Sequence, residues 1–201
     1  MGRIREFDVD NALKLAMHLF WRKGYHTTSL EDLCEAMNIS RSRSSFYATY
    51  TDKKTLFISC MNTYFEGFRS ALPDVNGLDN PIQALRKQYL TVMSDDLPNE
   101  YFGCLLVNTV LEMADVDDEL KNLAGQKWKF LVEDYSREAF LQAGLSQSEA
   151  QIFSKHLDVV IAGITVADRR MMPRSGLRDI INQTFDFFQL ALNSKKQALY
   201  S

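Results

Sequence analysis

From Asp8 to Lys23 the apolar residues Ala12, Leu15, Ala16, Leu19 and Phe20 recur at steps of three and four, the stripe of an amphipathic helix, and Gly24 offers a left-handed stop. After a short polar link, Ser29 can cap a second helix whose buried face is Leu30, Leu33, Cys34 and Met37 and which Asn38 can end. Ile39 to Tyr50 is polar at its front and aromatic at its back, and reads as a turn plus a short third helix. From Asp52 to about Ala71 a longer helix carries Leu56, Phe57, Cys60, Tyr64 and Phe68 on one side, and it breaks at a segment, 73–81, rich in Pro, Gly and Asn. Further helices are expected at about 81–95, 101–114, 117–143, 147–169 and 176–194. Their boundaries are Pro98-Asn99, the acidic turn Asp115-Val116-Asp117-Asp118, Gly144-Leu145-Ser146 and Pro173-Arg174-Ser175-Gly176. The pattern predicts an all-α protein of about nine helices, with a three-helix unit at 1–50 and a larger helical domain at 51–201. No internal repeat is visible, which argues against a solenoid.

Composition agrees with that reading. Only 4 Pro and 9 Gly occur in 201 residues, too few to punctuate the many short strands of a sandwich or barrel. No apolar run approaches the length of a membrane span, and Arg3, Arg5, Glu6 and Asp8 charge the N-terminus at once, so the expectation is a cytoplasmic protein with no membrane partner. Cys34, Cys60 and Cys104 are odd in number and widely spaced, which suits reduced thiols and neither a disulfide framework nor a thiolate metal site. The net charge of -3 hides an asymmetry: residues 1–54 hold nine Lys/Arg against seven Asp/Glu, so a small basic patch sits on an acidic body.

Two short helices joined by a tight turn, with a third packed across them, make a helix-turn-helix within the first fifty or so residues. The second helix of such a pair must offer small polar and basic side chains to base edges. Arg can chelate guanine O6 and N7, while Ser and Thr hydroxyls serve either base pairs or phosphates. Ser40, Arg41, Ser42, Arg43, Ser44 and Ser45 supply that face, and Lys53 stands where a helix N-terminus and a positive charge together suit a phosphate.

The order of these residues resembles the TetR/AcrR family of bacterial transcriptional regulators. The resemblance rests on Ala16 to Tyr25 (AMHLFWRKGY), on Thr28 to Met37 (TSLEDLCEAM) and on Ser44 to Phe57 (SSFYATYTDKKTLF). It implies that Thr28, Tyr47 and Lys53 contact phosphates and that residues just before Phe46 read bases, with Tyr50 on the same interface. Between the second helix and Tyr47 the chain is longer than most members of the family. The surplus is expected in the turn, with Ser42 as N-cap and Arg43, rather than Arg41, as the direct reader. Gly103 to Thr109 (GCLLVNT) resembles a segment of one subgroup, some members of which use a cysteine as sensor.

The remaining candidates lie in the body. Tyr64, Phe68, Tyr89, Met93, Cys104 and Trp128, with Asn108 and Tyr135 as polar tips, are candidates for an apolar ligand pocket between helices. Phe153, Leu157, Val160, Ile161 and Ile164 on one helix and Ile181, Phe185, Phe188 and Leu192 on the next form stripes that two protomers could bury as a four-helix bundle. His18, His26 and His156 lack ligand-spaced neighbours, and neither a metal nor another cofactor is expected. No nucleophile elbow, phosphate loop or dinucleotide turn occurs, so an enzyme is not expected. The residues point to a DNA-binding regulator, a dimeric repressor on a palindromic operator released by a small molecule. The alternatives are a helical protein-binding adaptor and a regulator switched by modification of a cysteine. The helix beginning at Asp52 would touch both the reading head and the pocket and so carry the signal.

Overall fold

A computed structural model describes residues 9–39, 50–94 and 102–200. Among them are helices and no strand. The expected third helix lies almost wholly outside the described residues, as does the Pro98-Asn99 break.

Helix α1 (Val9–Lys23) buries Ala12, Ala16, Leu19 and Phe20, whereas Leu15, counted in the expected stripe, is exposed. Gly24 ends it at φ +88, donating its N–H to Phe20 O at 2.7 Å. In α2 (Leu30–Ala36) Ser29 and Asp32 form a reciprocal capping box, and Asn38 takes the left-handed conformation at φ 55. The long α3 (Lys53–Ala71) is capped by Asp52, which accepts from Thr55 N at 2.7 Å. Helix α4 (Pro81–Val92) has Asn80 as cap and proline at its first position, where the missing N–H costs nothing.

Helix α5 (Leu105–Glu112) is shorter than the expected 101–114, because Gly103 at φ +69 and an extended Cys104 keep the chain out of the helix until Leu105. The expected helix 117–143 is continuous but not uniform. It runs as α6 (Asp118–Lys129), a π-helical turn at Phe130–Asp134, and α7 (Tyr135–Gln142). Helix α8 (Gln147–Arg169) starts with a second capping box, Ser146 and Glu149. Helix α9 (Arg174–Tyr200) begins before and ends beyond the expected 176–194, since Gly176 is accommodated in its first turn.

Helices α1 and α3 pack through Phe20 and Phe57, whose rings meet edge-on at 4.8 Å, and α2 lies across α1. In the body α5 pairs with α6, α7 with α8, and α9 with both α4 and α8. One continuous apolar core runs through head and body. By length and composition α8 is apolar enough to cross a membrane. Here it is a core helix, burying Ala150, Leu157, Ile161 and Ile164 against its neighbours.

Candidate nucleic-acid interface

The turn between α1 and α2 is built from its two threonines. Thr28 is fully buried and its hydroxyl donates to Gly24 O at 2.6 Å, while the exposed Thr27 hydroxyl donates to Lys23 O. Both satisfy carbonyls that the end of α1 leaves open. The expected phosphate contact from the Thr28 side chain is therefore corrected: that hydroxyl faces inward and is already engaged. Tyr50 also departs from expectation. Its hydroxyl is buried, and desolvation pushes the phenol's pKa up, so the ring serves the core rather than a phosphate. Ser40, Arg41, Ser42, Arg43, Ser44, Ser45 and Tyr47 lie outside the described residues.

Lys53 is the first residue of α3, and its ammonium stands 4.4 Å over the Tyr25 ring. Desolvation lowers its pKa, against the pull of Glu112 and Asp32. Cation and aromatic face thus fix a positive charge at the start of a helix, where backbone N–H groups also favour an anion. Behind it, Lys23 pairs with Asp32 at 2.8 Å, which holds that carboxyl well below the usual range and ties the end of α1 to the first turn of α2.

The head meets the body through polar contacts that the sequence pattern did not single out. Both carboxylate oxygens of Glu112 accept backbone N–H groups of the α1–α2 turn, Oε2 from Tyr25 at 2.9 Å and Oε1 from His26 at 2.8 Å. Trp21 Nε1 donates to Gly103 O at 3.0 Å. Arg169 donates to Trp21 O at 3.5 Å. Lys54 pairs with Asp117 at 2.8 Å and Glu119 at 2.7 Å, which raises the lysine's pKa and ties the start of α3 to that of α6. A faint signal existed for the last: the acidic turn at 115–119 reads as solvated until a lysine is brought to it.

The expected ligand residues fall into separate groups. Tyr64 packs on Phe68 at 4.8 Å with the rings tilted by 45°, meets Trp21 edge-on at 5.3 Å, and its hydroxyl donates to Cys104 Sγ at 3.4 Å. Farther along, Trp128 Nε1 donates to Asp158 at 2.6 Å, and Tyr89 lies near Tyr135 and Asp158 with its phenol pKa pushed up by burial. Burial also raises the pKa of Asp158, a residue with no motif to announce it. Met93 is buried at the end of α4. The two expected polar tips already have partners within the chain. Asn108 donates to Phe102 O at 2.6 Å and Tyr135 to Pro73 O at 2.7 Å, so each braces a loop. Two open grooves lie elsewhere, one of about 430 Å³ lined by Arg86, Lys87 and Leu90, another of about 400 Å³ by Val110, Lys121 and Gly125.

Residues 12–60 match the family model described as bacterial regulatory proteins, tetR family. The HTH-type transcriptional regulator YezE of Bacillus subtilis (strain 168) is 32% identical over 124 residues, which are 60% of this chain and 62% of that protein, somewhat under two thirds of its length. The HTH-type transcriptional repressor ComR of Escherichia coli (strain K12) is 25% identical over 195 residues, 91% of this chain and 90% of ComR. Among solved structures, a cysteine mutant of the TetR-family regulator CifR, complexed with 26-bp double-strand operator DNA, superposes with a TM-score of 0.73 at 26% identity. That match covers 92% of this chain and 98% of CifR. Residues 12–60 are a TetR-family domain. That domain is the helical head just described, and the relatives that match farther along the chain are HTH-type transcriptional regulators, ComR a repressor among them.

In the body the expected dimer stripes are used differently. Leu157, Ile161, Ile164, Ile181, Phe185, Phe188 and Leu192 are buried within their own chain. Phe153 and Val160 are partly buried against the same core, and Phe153 stacks on Phe188 at 5.1 Å. Both stripes lie on the most apolar side of each helix, which the protomer itself covers. Among the described residues, the large apolar side chains left outside on these helices are Ile152, Val159 and Val166 on α8 and Ile180, Phe187 and Leu190 on α9, with Val159 70%, Phe187 56% and Leu190 66% exposed.

Proposed function

We propose that this regulator is a repressor that binds a palindromic operator as a homodimer in the cytoplasm and is released by a small molecule. The observation that carries the reading is the exposed apolar seam of α8 and α9. Its residues 152, 159 and 166 lie seven apart, as do 180 and 187, the spacing at which two helices bury a shared face. A two-fold contact there would place two reading heads on half-sites about 34 Å apart. Its likeness over nearly the full chain to a repressor and to a regulator held on operator DNA supports the same reading.

Helix α3 starts at Lys53 on the head and reaches Tyr64 and Phe68 in the aromatic interior, so an effector seated beside those rings would tilt it and change the spacing of the heads. Switching through Cys104 is disfavoured by burial, which raises its thiol pKa and leaves little thiolate to react.

The test is binding to duplexes selected from a random pool. Loss of one phosphate contact in Lys53→Ala should weaken binding to all sequences alike and reduce the salt slope by about one, whereas Arg43→Ala should lose about 1–3 kcal/mol on the selected sequence alone. Selection of no duplex by the wild-type protein would sink the reading.

A further inference from the structure

Helix α5 is strapped to α1 at both ends. Ahead of its first turn the Gly103 carbonyl accepts from Trp21, and its last residue, Glu112, accepts from the two amides that follow α1. Consecutive N–H groups after a left-handed residue form a seat for an anion, and here a carboxylate from the body fills it. The approach is close enough that a Cβ on Gly24 would stand 2.9 Å from Glu112 Oε2. Tyr25, one of the two residues so held, carries the Lys53 ammonium on its ring. At the other end of α5, Cys104 touches the Tyr64 hydroxyl of α3. One short helix therefore links the body's aromatic interior to the residue beneath a DNA-facing cation.

We propose that Glu112 is a positioning residue for DNA binding: by holding the amides of Tyr25 and His26, it sets the angle at which the reading head meets the body. It touches no DNA. Its contribution comes through the Tyr25 and His26 backbone and so through the angle of the head as a whole, and a body rearrangement that withdraws α5 would lower affinity while the head keeps its own phosphate-binding residues. The proposal rests on the operator-binding reading above.

The experiment uses the full chain as wild type, Glu112→Ala and Glu112→Gln, on a duplex selected by the wild type, at a temperature where circular dichroism finds each variant folded. Glu112→Ala should lose about tenfold in affinity with the salt slope unchanged, and Glu112→Gln, which keeps one acceptor, about threefold. Hydrogen exchange at the Tyr25 and His26 amides should quicken in the same order. Faster exchange with wild-type affinity would overturn the proposal and leave Glu112 a purely structural brace. A reduced salt slope in Glu112→Ala would overturn it too, because phosphate contacts would then have been lost. If Glu112→Ala does not fold, Glu112→Gln decides alone, and wild-type affinity in it overturns the proposal. A wild type that selects no duplex removes the operator reading and the positioning role with it, whatever the two amides report.

Discussion

Gly24 and Gly103 are the residues where the joint between head and body tolerates least change. Each sits at positive φ, and a Cβ would meet a carboxylate oxygen at 2.9 Å in the first case and the Thr165 backbone oxygen at 2.7 Å in the second. A carboxylate can swing aside, but the backbone of α8 cannot. Gly24→Ala should therefore cost about 1–2 kcal/mol and Gly103→Ala more, about 3 kcal/mol, which urea unfolding of the two variants will rank. The thiols give a second expectation at this scale. Cys34, Cys60 and Cys104 are all buried, and burial raises the pKa of the Cys60 and Cys104 thiols. Native protein should react with Ellman's reagent only slowly, and rapidly with three equivalents once urea is added. A fast equivalent in native protein would mean that the interior around Tyr64 opens readily. The burial of Cys104 was legible beforehand from its neighbours Leu105, Leu106 and Val107. The roles of Asn108 and Tyr135 were not, because what a polar tip bonds depends on which loop the fold brings to it.

At the scale of elements, the ends of helices were easier to read than their joints. Ser29, Gly24 and Asn38 announced their capping roles because capping chemistry is local. The late start of α5 was hidden, since Gly103 could equally have been an interior helix residue until Thr165 was found against it. The ion pairs that join elements have a pH signature. Lys54 holds the Asp117 carboxyl below its ordinary value, and Lys23 does the same for Asp32. A carboxyl depressed in the folded state stabilises fully above its unfolded pKa, about 3.9, and that contribution is lost as pH falls through the folded value. Stability should therefore hold from neutral pH to about 4 and decline below it. In Asp117→Asn that acid decline should be shallower, as urea midpoints at pH 7 and pH 3 will test. An equal decline in both proteins would mean that the Lys54 pair does not survive in solution.

For the whole molecule, the choice of face on α8 and α9 separates two kinds of failure. Phe188 is buried in its own chain, so Phe188→Ala should cost about 3–5 kcal/mol of folding stability. Val159 and Phe187 are exposed, so Val159→Asp with Phe187→Asp should leave the fold intact and turn a dimer into a monomer in sedimentation at micromolar concentration. Dimers persisting in the double variant would move the contact elsewhere. That division was out of reach of periodicity alone, which marks an apolar stripe without saying which neighbour covers it. The π turn at Phe130–Asp134 has a different kind of consequence, one for descent. A π turn holds one residue more than an α turn, so losing a single codon there would restore a regular helix and leave α7 in nearly its present register against α6. Tyr135 would stay beside Pro73, and Phe140 would keep its seat against Phe188. Lineages of this chain should accordingly accept one deletion in those five residues more readily than one within α6 or α7, which would turn everything beyond it by about 100°.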